Sequence, residues 1–291
     1  MSAVVFEVAK EAETSVAVAC RALGVSRSTA YAKRDREPPP RSSETAQLDV
    51  AIRAVFAANQ GRYGSPRVYR ELRDQEYRTS RKRVAERMKV LGLVARRPKR
   101  FRRTTQADGS PVAPNLLGRQ FSGHGRNEVW VGDVTYIWTW EGWEYLAILV
   151  DLGTRAIVGW ATSQWCDTDL CLLALERAVA RHHPPAGLMH HTDRGSTYTA
   201  SAYQKRLAEL GMVASMSRKG DCWDNAVAES TIGTIKAELL ADWTPPSRAI
   251  GTHALFHYIE GYYNARRRHS SLGYRSPIEV EFSLLNSARA A

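Results

Sequence analysis

The fold of this chain is decided by residues 128–163, which read EVWVGDVTYIWTWEGWEYLAILVDLGTRAIVGWATS. Three segments of this stretch are rich in β-branched and aromatic residues, and Gly153-Thr154 is a turn signal between the last two. The pattern therefore predicts three consecutive strands, at residues 130–138, 145–151 and 156–162.

Downstream of this stretch, helical and strand patterns alternate. Helical spacing of apolar residues predicts helices over 169–182 and 200–210, and short apolar runs predict strands over 188–192 and 213–217. Three early strands followed by alternating helix and strand predict an α/β fold with helices on both faces of a mixed sheet. This is the order of a ribonuclease H-like core.

Asp133 is the first of three carboxylates that a purely structural role explains poorly. It lies mid-strand, on the same face as Val131, Thr135 and Ile137. An ionised carboxylate in such surroundings is costly unless it is paired or bound to metal. A buried salt bridge is the alternative role.

Asp193 is the second carboxylate and stands where an apolar strand stops and the loop Arg194-Gly195-Ser196 begins. Ligands gather at the carboxyl ends of strands in open α/β sheets. Capping the following turn is the alternative role. Asp151, also at a predicted strand end, is the second-choice ligand should Asp193 prove remote, and capping a turn is its alternative as well.

Glu229 is the third carboxylate and lies in a predicted helix. Helical spacing places it on one face with Asn225, Gly233 and Lys236, next to a buried stripe of Ala228, Ile232, Ile235 and Leu239. The alternative is that Glu229 simply faces solvent and has no part in a site.

Convergence of three acids has a chemical reason in phosphodiester cleavage. The reaction needs an activated water or hydroxyl and a stabilised leaving 3′ oxygen, and two divalent ions about 3.5–4 Å apart can supply both. Mg²⁺ prefers oxygen ligands and keeps several waters, so that a few carboxylates suffice to hold it. Neither a serine nor a cysteine nucleophile has a supporting local motif.

Charge is unevenly distributed along the chain. Residues 1–126 carry a net charge of +14 and residues 127–291 carry −3, within a total of +11. A basic region joined to a mildly acidic one is typical of a polyanion-binding part attached to an enzymatic core. Proteins that coat nucleic acids are more often basic throughout.

A helix–turn–helix is predicted at residues 14–35. Gly24 supplies the turn and Ser26 the N-cap of the second helix, whose start presents four candidate DNA contacts: Arg27, Ser28, Thr29 and Tyr31. An ordinary helical hairpin is the alternative.

A second helical unit follows, in which Tyr63-Gly64-Ser65-Pro66 forms a turn and Thr79-Ser80 caps the last helix. Candidate phosphate contacts on and after that helix are Arg81, Lys82, Arg83, Arg96, Arg97 and Arg100. A solvated linker is the alternative for the run that begins at Arg96.

These patterns divide the chain into six predicted parts. They are a helix–turn–helix at 1–37, a Pro/Ser linker at 38–45, a second helix–turn–helix unit at 46–94, a basic linker at 95–126, the catalytic core at 127–241, and a C-terminal helix and tail at 242–291. The four cysteines have neither disulfide-framework nor zinc-finger spacing. With no apolar run of about 18 residues and no signal peptide, we expect an intracellular protein without membrane contact.

Three ordered motifs add a family resemblance. They are Trp130-x-x-Asp133-x-Thr135-Tyr136-Ile137, His191-x-Asp193-Arg194-Gly195-Ser196-x-Tyr198 and Asp224-Asn225-Ala226-x-x-Glu229-Ser230, followed by a tail Tyr263-Asn264-x-x-Arg267-x-His269. Together they resemble the catalytic blocks and tail of bacterial insertion-sequence transposases of the OrfB type, which have a retroviral-integrase-like core. The resemblance runs from about residue 46 to residue 282.

This resemblance implies an Asp-Asp-Glu site at Asp133, Asp193 and Glu229, with two Mg²⁺ ions, or Mn²⁺ in their place, as cofactor. It implies hydrolysis that exposes a 3′-OH at the element end, and attack of that 3′-OH on target DNA. Lys236 matches a lysine expected to touch the DNA end. The tail residues Asn264, Arg267 and His269 are expected either to contact DNA or to pack on the core.

The resemblance also implies partners and a location. We expect double-stranded DNA, a homo-oligomer that is at least a dimer on DNA, and action in the bacterial cytoplasm at the nucleoid. Such proteins often act as a fusion with an upstream reading-frame product, so residues 14–35 either supply end recognition or are a remnant of that fusion. Two other functions stay open: an inert DNA-binding regulator, and a nuclease of the same fold that cuts without joining.

Overall fold

The computed structural model describes residues 2–34, 40–96, 113–218 and 221–290. Six helices come first: α1 Ser2–Glu11, α2 Val16–Ala22, α3 Arg27–Arg34, α4 Pro40–Ala58, α5 Ser65–Asp74 and α6 Arg81–Val90. The sheet region contains β1 Val129–Thr139, β2 Gly142–Asp151, β3 Ile157–Ser163, α7 Thr168–His182, β4 Met189–Thr192, α8 Ser196–Thr199, α9 Ser201–Glu209 and β5 Val213–Met216. Helices α10 Ala226–Leu239, α11 Arg248–Tyr258 and α12 Pro277–Ala290 complete the chain.

The first helical unit contains the predicted helix pair, α2 and α3. The Ser15 hydroxyl accepts a hydrogen bond from the Val18 N–H, and the Ser26 hydroxyl accepts one from the Thr29 N–H at 3.1 Å, so both serines cap helices. Helix α1 was not predicted. It buries Val5 against α2 and α3, and this packing makes the unit a three-helix cluster.

The second helical unit is formed by α4, α5 and α6 around Ile52, Tyr63, Leu72 and Val84, each fully buried. Its first helix begins at Pro40, so the predicted linker at 38–45 is wrong over 40–45. Proline is compatible with the first turn of a helix, where its missing N–H has no intrahelical partner, and three prolines in a row therefore did not exclude a helix start.

The five strands form one mixed sheet in the order β3-β2-β1-β4-β5. Strands β1 and β2 form an antiparallel hairpin, β3 runs antiparallel to β2, and β4 and β5 run parallel to β1. This is the predicted mixed sheet, with strand ends within three residues of the predicted ones.

Helices cover both faces of the sheet. Helices α7 and α9 pack on one face, where Trp130, Leu149 and Leu175 are buried. Helices α10 and α11 pack on the other, where Ile148 and Ile232 are buried. The two faces of β1 therefore belong to two separate hydrophobic cores, and the alternation of its side chains decides which helix each of them meets.

Residues 113–126 belong to the catalytic core rather than to a linker. Leu117 is buried in the core on the α10 face, and the backbone N–H of Leu116 donates to the Ser215 hydroxyl at 3.0 Å. The predicted linker at 95–126 is therefore wrong over 113–126, because the buried Leu117 side chain and a backbone hydrogen bond to Ser215 of β5 hold this segment on the core.

The C-terminal segment also packs on the core. After α11 the chain makes a π-helical turn at Ile259–Asn264, and Ile259 and Tyr263 are buried beside β2 and β3. The Asn264 side chain donates to the Ile157 carbonyl and accepts from the Ile157 N–H, both at 2.9 Å. This side chain thus satisfies the backbone at the start of β3. Of the helices that the structure describes, none has the length and apolar character needed to cross a membrane.

Candidate active site

Asp133 and Asp193 meet at the point where β1 and β4 run side by side. The parallel register pairs Val131 with His191, and the same register continued by two residues sets Asp133 beside Asp193. Neighbouring strands are about 4.8 Å apart. Asp133, in the middle of β1, and Asp193, just after β4, are therefore neighbours across the two strands.

Glu229 reaches the same point from the first turn of α10. A single 3-10 turn at Cys222–Asn225 leads into this helix, and the Asn225 side-chain amide donates to the Gly132 carbonyl at 3.0 Å. Ala228 and Ile232 are buried against the sheet, while Glu229 is only partly buried. The start of α10 is thus bonded to the residue before Asp133.

The pKa shifts report how close these groups lie. Burial raises the pKa of Asp133 well above its usual value, and the charges of Asp193 and Glu229 raise it further. Burial and then the Asp193 charge raise the pKa of Glu229. Burial lowers the pKa of Lys236 while Asp133 opposes that shift. Three acids and one ammonium therefore interact electrostatically at one site.

The loop after β4 is shaped around the Asp193 carboxylate. Its Oδ1 accepts a hydrogen bond from the Gly195 N–H at 3.0 Å, which is the turn-capping contact considered from the sequence. A Cβ at Gly195 would stand 3.1 Å from that oxygen, so glycine leaves the carboxylate room.

His191, two residues before Asp193 on β4, is buried, and its Nδ1 is hydrogen-bonded to the Ser215 hydroxyl at 2.8 Å. Burial lowers its pKa to about 4, so it is neutral at pH 7 and packs as an uncharged side chain.

The donor chemistry of the site suits a hard divalent cation. Within the four described ranges, no three His, Cys, Asp or Glu side chains lie close enough to enclose an ion by themselves. Mg²⁺ commonly binds through one or two carboxylates and takes its remaining oxygens from water and substrate phosphates. Asp133, Asp193 and Glu229 offer oxygen donors of this kind, and a cation beside them would favour the charged form of Asp133, whose pKa is raised by burial first and by the Asp193 and Glu229 charges second.

Comparison with known proteins identifies the family of this chain. Two family models described as "Integrase core domain" match residues 123–222 and 210–277, and one described as "HTH-like domain" matches residues 43–101. The transposase for insertion sequence element IS904 of Lactococcus lactis is 40% identical over 84% of this chain and 98% of its own length. The chain belongs to the insertion-sequence transposases.

Further relatives and solved structures are similar to this transposase. Transposase InsF for insertion sequence IS3A of Escherichia coli is 39% identical over 93% of the chain and 95% of that protein. The HTLV-2 integrase catalytic core domain in complex with magnesium is 20% identical with a TM-score of 0.42, and the match covers 55% of this chain and 99% of that one. The transposase is an enzyme with an integrase core and an HTH-like domain, and it binds DNA.

Asp151 lies outside the candidate site. It is buried, and its carboxylate accepts hydrogen bonds from the Asn127 N–H and the Thr154 N–H, both at 2.7 Å. Strand β2 is antiparallel to β1 and pairs Asp151 with Trp130, three residues before Asp133, and β2 lies on the opposite side of β1 from β4. Its role is to cap the turn between β2 and β3.

Asp224 is a site residue whose role the sequence motif did not reveal. It is 1% exposed and accepts hydrogen bonds from the Arg119 Nε at 2.8 Å, the Arg218 Nη2 at 2.9 Å and the Asn115 amide at 2.8 Å. The Arg218 guanidinium holds the pKa of Asp224 well below its usual range. This network ties residues 115–119 and the loop after β5 to the start of α10, which carries Glu229. Two of its partners, Asn115 and Arg119, lie more than 100 residues away in the chain, so the sequence around Asp224 gives no local signal of this network.

Replacing Asp224 by asparagine should slow strand transfer about 10- to 100-fold, the range typical for outer partners of metal ligands. DNA affinity should stay unchanged, because no predicted DNA contact is removed. Single-turnover assays of joining and fluorescence anisotropy with labelled DNA measure the two effects. Asp242→Asn removes a carboxylate that is 73% exposed and serves as the matched control. A wild-type joining rate in Asp224→Asn would contradict a positioning role.

The predicted DNA contacts fall into three groups. Arg27, Ser28, Thr29 and Tyr31 are exposed on α3, and Arg81 and Lys82 are exposed on α6. Arg83 donates to the Thr45 hydroxyl at 3.1 Å, and Arg96 donates to the Glu238 carbonyl at 3.0 Å, so both make contacts within the chain. Arg97 and Arg100 lie outside the described residues. The first group is the one presented to a ligand.

The tail motif is structural in this transposase. Arg267 forms a buried ion pair with Glu238 at 2.7 Å, and His269 packs edge-on against the Tyr263 ring. With Asn264 bonded to Ile157, the three side chains hold the C-terminal segment on the core. Of the two roles expected for the tail, packing is the one these contacts support.

Proposed function

We propose that Asp133, Asp193 and Glu229 are the catalytic carboxylates with which this transposase cuts insertion-sequence ends and joins them to target DNA. The observation that supports this most directly is the β1–β4 register, which, continued by two residues, sets Asp133 beside Asp193. The Asn225–Gly132 hydrogen bond, which ties the start of α10 and so Glu229 to the residue before Asp133, supports it as well.

We propose that the three carboxylates hold two divalent ions, with Mg²⁺ as the natural cofactor and Mn²⁺ as its substitute. When bound, such ions help to activate the attacking oxygen and to stabilise the leaving one. The residues of the chain hold and orient the DNA end for this chemistry. In particular, the Lys236 ammonium, partly buried beside the acids, binds a phosphate of that end.

Two displacements at phosphorus follow in our proposal. Water attacks the phosphodiester at the element end, a new P–O bond forms, and the bond to the 3′ oxygen breaks to leave a 3′-OH. That 3′-OH then attacks a target phosphodiester, and the target's own 3′ oxygen leaves with a proton. The second step conserves the number of phosphodiester bonds, so no high-energy cofactor is needed for joining.

The basic front of the chain positions the DNA in this scheme. Residues 1–126 carry a net charge of +14, which favours binding to DNA phosphates. Helices α3 and α6 expose polar and basic side chains that can contact DNA. Joining two element ends requires both to be held together, so we propose a homo-oligomer that is at least a dimer on DNA, at the bacterial nucleoid. An upstream reading-frame product acts with it or is fused to it.

The test uses purified protein, a labelled duplex carrying the element's own end, and a target plasmid. With Mg²⁺ the wild type should give joined product, EDTA should abolish both cleavage and joining, and added Mg²⁺ should restore them. Binding to the duplex should persist in EDTA, because the helical units contact DNA without metal. Products formed in EDTA would contradict the proposal.

The same assay separates the alternatives. Cleavage without joining indicates a nuclease of this fold, or dependence on the upstream partner, and adding that partner distinguishes these two. Binding without any product, with or without Mg²⁺, indicates a DNA-binding regulator.

A further inference from the structure

The β1–β2 hairpin extends beyond the rest of the sheet. Strand β3 pairs with β2 only as far as Tyr145, and β4 pairs with β1 only as far as Val131, so residues 136–143 have no neighbouring strand on either side. One face of this extension is packed. Ile137 and Thr139 are buried there, and the Trp140 N–H donates to the Pro245 carbonyl at 3.1 Å.

The other face of the extension is aromatic and open. Tyr136, Trp138 and Trp143 are 42%, 48% and 46% exposed, and we call these three residues the aromatic face. The Trp143 ring lies edge-on to Tyr136 at 5.1 Å and to Trp138 at 4.9 Å between centroids. Large exposed apolar clusters are uncommon on protein surfaces and mark binding sites. The packed reverse face fixes the hairpin backbone, so these rings are presented on a firm support.

The aromatic face adjoins the candidate active site. Tyr136 is three residues after Asp133 on β1, so the two side chains point to opposite faces of the strand. Lys236 belongs to α10, which packs on the Asp133 face, yet its ammonium lies 4.7 Å from the Tyr136 ring centroid, so this side chain links the two faces. Lys236 is seven residues after Glu229 on α10, so one helix carries both a candidate catalytic acid and the ammonium that contacts the Tyr136 ring. A phosphate bound by Lys236 therefore has its attached nucleotides beside Tyr136.

The charges nearby suit a nucleic acid rather than an acidic partner. Glu144 is buried on the packed side of the hairpin, and the Glu141 carboxylate accepts from the Arg248 N–H at 2.9 Å. The aromatic face itself contains no carboxylate. Rings with a neighbouring ammonium match a nucleotide, which offers a π-face and a phosphate.

We propose that the aromatic face stacks unpaired bases of the DNA strand next to the phosphodiester that is cut. In a duplex each base is covered by its neighbours, so the exposed rings select a strand whose bases are splayed apart. This inference rests on the proposed function, because Asp133 defines where the reacting phosphodiester lies. It adds a preference for locally opened DNA, which the acids alone do not provide.

Binding of two labelled duplexes tests this proposal, one fully paired and one with a short unpaired tail, in EDTA so that no chemistry occurs. The wild type should bind the tailed duplex about tenfold more tightly, the size expected for stacking of roughly one base. The double substitution Trp138→Ala/Trp143→Ala should remove this preference and leave affinity for the paired duplex unchanged. A 2-aminopurine base in the tail should be quenched by the wild type only.

Two control variants keep this test specific. Trp138→Phe/Trp143→Phe keeps the rings and should keep most of the preference. Phe282→Ala removes a 59% exposed ring on α12 and should change nothing. Both tryptophans are half-exposed, so the alanine variant should fold, and circular dichroism confirms this.

Each remaining outcome overturns the inference. If the alanine variant loses affinity equally for both duplexes, the rings do not select unpaired bases. If it loses no affinity for either duplex, the same conclusion holds. A drop in oligomer mass for the alanine variant, seen by sedimentation without DNA, assigns the face to a second copy of the chain. Failure of the proposed function is seen separately, as a wild type that prefers the tailed duplex yet never joins DNA ends in Mg²⁺.

Discussion

A transposase carrying Glu229→Gln should bind the element end as the wild type does, and should give at least about 100-fold less joined product. Loss of an outer partner of a metal ligand already costs about 10- to 100-fold, and loss of a ligand's charge should exceed that. Glutamine has nearly the same shape as glutamate, and Glu229 is only partly buried at the start of α10, so the fold should be retained. Gel analysis of labelled strands measures cleavage and joining together, and anisotropy measures binding.

The matched control for this change is Glu209→Gln. Glu209 ends α9 and pairs with Arg206 at 3.1 Å on the surface, so its substitution removes one negative charge away from the site. It should join DNA like the wild type. Joined product from Glu229→Gln at the level of the Glu209→Gln control would remove Glu229 from the catalytic set, even if Asp133 and Asp193 proved essential.

Comparison of Asp193 with Asp151 shows how far the sequence could locate this site. Both acids end apolar strands, and local patterns describe them alike. They differ because β4 runs parallel to β1 on one side while β2 runs antiparallel to it on the other, so β2 ends beside Trp130 and β4 ends beyond Val131, towards Asp133. Strand order and direction depend on contacts between distant residues, and neither can be read from the alternation of one strand. The strand end followed by the loop Arg194-Gly195-Ser196 put Asp193 ahead of Asp151, the family resemblance matched that choice, and the sheet topology supplies the physical reason.

The tail residues show a second limit of sequence patterns. Arg267 looked equally suitable for a DNA phosphate and for a buried partner, since a guanidinium serves both. Its partner Glu238 lies on α10, and the side chains of Arg267 and Glu238 are 7% and 5% exposed. No spacing rule in the sequence connects these two positions. By contrast, the α3 cap at Ser26 and the strand at Asp133 depend on neighbours within a few residues, and the sequence predicted both.

Breaking the Glu238–Arg267 pair should give the largest loss of stability of any single change considered. Arg267→Met leaves Glu238 buried without its cation, and removing one partner of a buried ion pair costs about 3–5 kcal/mol. For a protein of this size the melting temperature should fall by about 10 °C. The Tyr258 hydroxyl still donates to Glu238 at 2.8 Å, but a single neutral donor does not replace a guanidinium that reaches both carboxylate oxygens. Thermal and urea unfolding measure the loss.

Two variants show whether the unpaired charge is the cause. Glu238→Gln/Arg267→Met removes both charges and should regain most of the lost stability, because glutamine can still accept from Tyr258. Arg181→Met breaks the exposed Arg181–Glu260 pair, where the arginine side chain is 57% exposed, and should cost less than about 1 kcal/mol. A double variant as unstable as Arg267→Met would mean that packing of the arginine stem, rather than charge, holds the segment. Because α10 carries Glu229 near one end and Glu238 near the other, Arg267→Met should also reduce strand transfer at temperatures below its melting point.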